Sequence, residues 1–298
     1  MPPVIQTDRL TKRYGADRGI VDVDLSVLAG EVFGFLGPNG AGKTTTIRTL
    51  LDLLHPTSGS ARIFGLDSRR DSRTIRARLG NLPGEFAFEE HMTGHELLRL
   101  FAGLRGMSGL GRVQQLAERF EADLSRPLRA LSRGNRQKIG LIQALFHDPE
   151  LLIFDEPTAG LDPLMQEEFL ALVAEERERG RTVFISSHDL AEVERACDRV
   201  GIIRDGRLIA VEDVAEMRGR ASRNVEVRFA HPVELSELAL PPGVEEVEHD
   251  GATLRFRTLG ELDATVKALA RHPIVDVEVT RPTLEQLFLA YYDRGADR

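Results

Sequence analysis

Residues 37–45 read GPNGAGKTT, a stretch whose residue types suit a triphosphate. It fits G-x-x-x-x-G-K-[ST], and it stands directly after the apolar run EVFGFL (31–36) and before a helical pattern. In the loop Gly37, Pro38, Asn39, Gly40, Ala41 and Gly42, the glycines let the backbone curl so that successive N–H groups point inward at phosphate oxygens. Lys43 then reaches the β- and γ-phosphates, the Thr44 hydroxyl can ligate Mg²⁺, and Thr45 follows it into the helix. A glycine turn that merely caps a helix is the plainer alternative, and the strand–loop–helix setting speaks against it.

Two further strand ends carry polar groups. LLIFDE (151–156) places Asp155 at the end of a buried strand, where it can hold Mg²⁺, and Glu156 one residue further out, where it suits a base that polarises an attacking water. SSHD (186–189) follows the next apolar run, TVFISS, so His188 reaches the same edge and can donate a hydrogen bond to a γ-phosphate. A third stretch, LSRGNRQKIG (131–140), looks like a helix start with Ser132 as its cap. Whether it is only a cap depends on the rest of the chain.

Chemistry at these points requires a scaffold that brings strand ends together. Apolar runs at 4–10, 20–36, 151–154 and 182–187 read as strands, and the last two are unbroken, as in a parallel sheet covered on both faces. A helix is expected from about Lys43 to Leu54, ended by HPTSG, and residues 94–146 read as mostly helical. The fold class is therefore α/β with a helical insertion. Near Met217–Arg223 the pattern changes to VEVRF, GVEEVEH, an Asp250-Gly251 turn, ATLRFR, a helix near 260–271, IVDVEV, and a last helix near 283–292, which suggests a small α+β domain. The expected division is 1–220, with the helical insertion at about 86–150, and 221–298.

The composition fits a globular protein of 298 residues, 42% hydrophobic and 29% charged. A net charge of −8 goes against a nucleic-acid surface. The single cysteine, Cys197, forms no internal disulfide, which fits a reducing compartment. No segment approaches the roughly 18–20 apolar residues needed to cross a bilayer. The N-terminus, MPPVIQTDRLTKRYG, lacks the apolar core of a signal peptide.

Taken together, these motifs over about residues 4–220 resemble the ATP-binding subunits of ABC transporters. GPNGAGKTT matches Walker A, and LLIFDEP matches Walker B with Glu156 as catalytic carboxylate. AGLD (159–162) matches the D-loop with Asp162, His188 the switch histidine, and Tyr14, 29 residues before Lys43, the aromatic that stacks on adenine. The resemblance implies a P-loop NTPase core, ATP and Mg²⁺ as ligands, and ATP hydrolysis. It also gives LSRGNRQKIG a second role, since it stands where the family has its signature. Ser132 and Gly134 would close over the ATP of a second subunit, so the chain is expected to work as a dimer, a homodimer in the simplest case.

This sequence departs from the family pattern in two places. Arg133 and Asn135 replace the usual Gly and Gln of the signature, while Ser132 and Gly134 remain. In NLPGEFAF (81–88), Gly84 stands at the position of the usual Q-loop glutamine and Glu85 follows it. Phe86 and Phe88 then offer apolar groups to a helix of the membrane subunit, or pack into the helical insertion. The tail RPTLEQLFLAYY (281–292) resembles the ending of ABC-2-type exporter subunits, which implies export through a separate permease at the cytoplasmic face of the membrane. Competing readings are a soluble ABC ATPase acting on nucleic acid or ribosomes, a P-loop kinase or GTPase outside this family, and a non-hydrolysing regulatory subunit. The single core, the acidic balance, the signature with His188, and Glu156 respectively argue against them.

Overall fold

Three parallel strands with unbroken burial carry the site. The computed structural model describes residues 2–15, 18–84, 90–107, 109–220, 223–238, 240–258 and 262–280. Glu85, Phe86, Phe88 and the helix expected at 283–292 lie outside the described residues. The chain divides into two compact units, Met1–Glu212 and Asp213–Arg298.

In the first unit, β1 (Pro3–Tyr14), β2 (Arg18–Val23) and β3 (Ser26–Leu28) precede β4 (Val32–Leu36), so the run expected at 20–36 is three strands. α1 (Lys43–Leu50) follows the phosphate loop. It stops four residues short of the expected end, because Asp52 takes a left-handed φ of 54° and the Leu53 and Leu54 amides turn back to the Arg48 carbonyl. Next come β5 (Ser58–Ile63), β6 (Leu66–Asp67), α2 (Ser72–Arg78) and β7 (Leu79–Leu82). The helical insertion holds α3 (Gly94–Leu104), α4 (Gly111–Arg119) and α5 (Arg133–Leu145). Thr93 and Glu96 start α3 with a reciprocal capping box, satisfying amides that a helix N-terminus otherwise leaves free. The core resumes with β8 (Leu151–Asp155), α6 (Pro163–Glu178), β9 (Thr182–Ser187), α7 (Leu190–Ala196), β10 (Arg199–Arg204) and β11 (Arg207–Asp213).

These strands form two sheets. One runs β2-β1-β5-β6 with β3 also on β1, and the other β11-β10-β4-β9-β8-β7. In the second, β4, β7, β8, β9 and β10 pair in parallel. Every residue of β4, β8 and β9 is buried. Their apolar side chains face helices on one side and the other sheet on the other, which is why the sequence runs apolar without alternation. Phe184 of β9 stacks on Phe33 and packs against Phe35 of β4, with centroids 5.8 and 5.5 Å apart. Burying such a side chain is worth about 1.5–3 kcal/mol.

The second unit holds α8 (Val214–Arg220), β12 (Arg223–Phe229), β13 (Val244–Asp250), β14 (Thr253–Thr258), α9 (Asp263–Leu269) and β15 (Ile274–Thr280). Its sheet runs β13-β14-β12-β15 and is antiparallel, with Asp250-Gly251 turning β13 into β14. Val225, Val227, Phe229, Leu254, Phe256 and Leu269 form its core. Among the described residues, no helix is long and apolar enough to cross a membrane.

Candidate functional site

Parallel pairing fixes which residues meet. Leu36 of β4 is in register with Ser187 of β9, and Asp155 of β8 with Ser186. Gly37, Glu156 and His188 therefore leave the sheet at one edge, outside the carboxyl ends of the strands, where open α/β sheets bind ligands. The Gly37 amide donates to the Ser187 carbonyl at 3.2 Å, tying the loop to its neighbour.

The loop itself curls as its glycines predict. Gly42 has φ 110°, a conformation that disfavours any Cβ, and it opens α1 with no side-chain cap. The first amides of α1 are therefore left for an external acceptor. Lys43 folds back over the loop, and its Nζ donates to the Gly37 carbonyl at 2.6 Å and the Pro38 carbonyl at 3.2 Å. The cleft beside the loop has a volume of about 610 Å³; Asn39, Gly40, Thr44, Thr45 and Glu156 are among its walls, and Tyr14 stands at its rim, 45% exposed. That volume falls in the usual range for small-ligand sites, about 300–1,000 Å³. Ala41 is buried instead, and its carbonyl accepts from the Gly206 amide at 3.0 Å.

Glu156 joins the other two elements. Its Oε1 lies 3.1 Å from Lys43 Nζ, and its Oε2 lies 2.6 Å from His188 Nδ1. The residue takes a left-handed φ of 52°. Its amide donates to Ser186, to the carbonyl at 3.1 Å and to Oγ at 3.2 Å. Ser186 Oγ in turn donates to Asp155 Oδ1. Asp155 is 1% exposed, and its Oδ2 would lie 3.1 Å from a Cβ at Gly84. That oxygen looks into the space left by a residue with no side chain.

Ser132, Gly134 and Asp162 are placed differently, and they do not line this cleft. Ser132 caps α5, its hydroxyl accepting from the Asn135 amide at 3.2 Å. Asp162 caps α6 by accepting from the Met165 amide at 3.1 Å, with Pro163 at the first helical position. A Cβ at Gly134 would lie 2.7 Å from the Gly160 carbonyl, so α5 and the loop at 159–162 touch backbone to backbone. Arg133 lies over Gly160 from the same helix end. These residues form a second surface of the same unit.

Three residues with clear roles in this geometry were given none by their motifs or spacing. Ser186 bridges Asp155 and the Glu156 amide. Gly206 packs so tightly on Gly19 that a Cβ would come within 2.2 Å of its carbonyl, closing the cleft wall. The Asp205-Gly206 dipeptide was the available signal, as a hairpin turn. Gln137, inside the signature helix, donates from Nε2 to the Glu156 and Pro157 carbonyls at 3.2 and 2.8 Å.

Behind the site, Glu192 of α7 is buried beside Ser187 and Thr158. Ser187 Oγ donates to its Oε2 at 2.5 Å, while Oε1 has no partner. Burial pushes its carboxyl up to about 7, with smaller contributions from the negative charges of Asp189 and Glu156 and opposing hydrogen bonds from Ser187 and Thr158.

The chain is similar to known proteins throughout its length. Residues 20–159 match the family described as ABC transporter. The bacitracin transport ATP-binding protein BcrA of Bacillus licheniformis is 34% identical over 303 residues, 99% of each chain. The daunorubicin resistance ATP-binding protein DrrA3 of Streptomyces coeruleorubidus is 34% identical over 96% of this chain and 94% of its own. A solved ATP-binding subunit of an ABC transporter superposes with a TM-score of 0.66 at 32% identity, over 72% of this chain and 92% of its own.

Proposed function

The chain belongs to the ATP-binding subunits of ABC transporters, an ATPase family, and from that premise we propose that it powers an exporter whose membrane-spanning permease is a separate polypeptide. The observation that carries this reading is the Glu156 carboxylate held between Lys43 and His188 at the mouth of the cleft. A carboxylate there can orient water against a γ-phosphate gripped by Lys43 and the loop amides.

The residues fit a divalent ion as well. A threonine hydroxyl and a single carboxylate are hard oxygen donors of the kind Mg²⁺ takes, with phosphate oxygens and water completing the shell. Thr44 and Asp155 would hold it, and the open side of Asp155 Oδ2 beside Gly84 leaves room. When bound, the ion neutralises charge on the β- and γ-oxygens. The protein's own groups do the rest. Lys43 balances the γ-phosphate, the amides from Asn39 to Thr45 cradle the phosphates, and Tyr14 stacks on the adenine. His188 keeps Nδ1 within 2.6 Å of Glu156 Oε2, which leaves Nε2 to turn toward a phosphate.

A second copy completes each site. Ser132, Gly134 and Asp162 lie on a surface away from their own cleft, and the α5 N-terminus turns positive potential outward from it. ATP then favours the closed dimer and ADP the open one, because the γ-phosphate is the differential contact. Opening and closing move the permease at the cytoplasmic face of the membrane. The relatives named for bacitracin transport and daunorubicin resistance support export and an antibiotic-like cargo. Nucleic acid is not an expected partner.

The test is light scattering of purified Glu156→Gln with and without ATP, beside Ser132→Arg in the same background. ATP-dependent dimers that Ser132→Arg abolishes support the reading. ATP binding with no dimer removes the homodimer.

A further inference from the structure

Gln137 is 5% exposed and sits one turn into α5, the helix that Ser132 caps. Its amide nitrogen meets two carbonyls, Glu156 O at 3.2 Å and Pro157 O at 2.8 Å, so both N–H groups are used and the amide orientation is fixed by its acceptors. The peptide it grips is no ordinary one. Glu156 is a non-glycine residue at φ 52°, a conformation that costs about 1–2 kcal/mol unless its surroundings hold it. Ser186 holds the amide side of Glu156, and Gln137 holds the carbonyl side. The side chain between them points at Lys43 and His188.

We infer that Gln137 is a positioning residue that couples the two ATP sites of the dimer. This rests on the reading above, in which the α5 N-terminus engages ATP held by a second copy. Ser132 and Gln137 are five residues apart on one helix, about 7–8 Å along its axis. A short rigid helix moves as a unit. A shift of its N-terminus toward the partner's phosphate is delivered by Gln137 to the Glu156–Pro157 peptide. The left-handed conformation of Glu156 makes that peptide responsive, because a loosened grip lets it relax toward an ordinary φ and carries the carboxylate off the water. Each subunit thus hydrolyses its own ATP fastest when its signature is engaged by the other's.

The variant that tests this is Gln137→Met in the full chain, which keeps length and volume and removes both donors; Gln137→Glu serves if the apolar variant fails to fold. We expect kcat for ATP hydrolysis to fall by roughly 10- to 100-fold, since a displacement of about 1 Å has that effect, with KM within about two-fold. The Hill coefficient for ATP should fall from near 2 to about 1. ATP-driven dimerisation in the Glu156→Gln background should be unchanged, which a merely structural role would not give. An unchanged kcat, a loss of dimerisation in step with kcat, or a Hill coefficient that does not differ from wild type overturns the inference. If Glu156→Gln itself forms no ATP-dependent dimer, the trans reading fails first; if it does and Gln137→Met is fully active, the coupling alone fails.

Discussion

Glu156 Oε1 lies 3.1 Å from Lys43 Nζ. The pair is largely buried, with side chains 22% and 6% exposed, so each charge depends on the other and on the loop carbonyls around the lysine. Glu156→Gln keeps the shape and removes the carboxylate proposed as the base. Steady-state ATP hydrolysis should fall by at least about 100-fold with ATP affinity retained or increased, whereas Lys43→Ala should weaken ATP binding itself. Equilibrium binding of a fluorescent ATP analogue beside phosphate release separates the two; equal losses in both variants would deny Glu156 its role.

Much of this site is legible in the sequence, for a physical reason. The phosphate loop is contiguous, so its spacing alone sets its geometry. Asp155, Glu156 and His188 each follow an unbroken apolar run, and parallel strands deliver such residues to one edge. Gln137 and Ser186 could not be read this way. Their contacts to Glu156 span 19 and 30 residues and depend on how α5 and β9 lie against the end of β8. The early end of α1 was equally hidden, since it turns on the left-handed Asp52 rather than on the HPTSG breaker that follows.

Gly84 tests the departure at the Q-loop position. A Cβ there would stand 3.1 Å from Asp155 Oδ2, tighter than ordinary contact, and would crowd the oxygen proposed to hold the ion. Gly84→Ala should raise the Mg²⁺ concentration for half-maximal ATPase by several-fold, about 1 kcal/mol, and leave metal-free nucleotide binding alone. A Mg²⁺ titration of both proteins decides it; superimposable curves would place the ion elsewhere. Chelation with EDTA should stop hydrolysis in both.

Arg112 ties the helical insertion to the core. From α4 it donates to Glu176 of α6 at 2.8 Å and to Asp148 at 2.6 Å, and Glu176 is 4% exposed. Arg112→Ala leaves that buried carboxylate to Arg179, whose Nη1 donates to Oε1 at 2.8 Å. The expected cost is about 2 kcal/mol, somewhat below that of stripping a buried charge bare. Arg255→Ala, which breaks an exposed pair with Glu226 in the second unit, should cost far less, because water screens that pair. Urea midpoints for the two variants compare them directly, and equal losses would show that burial of Glu176 is not what matters.

Stability should respond to pH through two opposed groups. Glu192 is pushed up to about 7 by burial, from 4.5, so between those values the folded chain keeps a proton that the unfolded chain has released. Stability therefore falls as pH rises through about 4.5 to 7. His147 is pulled down to about 4 from 6.5, first by burial and then by the charge of Arg105. Here the unfolded chain holds the extra proton, so stability rises with pH from about 4 to 6.5 and is lost as pH falls through that window. Each shift corresponds to something on the order of 3 kcal/mol, and over their shared range the two slopes offset each other. Glu192→Gln keeps an acceptor for Ser187 and removes one slope. It should stabilise the protein most above pH ~7, where the wild-type carboxylate is ionised with Oε1 unpartnered. Between pH ~4 and ~6.5 it should bring out the rise due to His147. Urea unfolding at four pH values gives the slopes, and a variant whose stability tracks wild type at every pH would show that Glu192 does not titrate there.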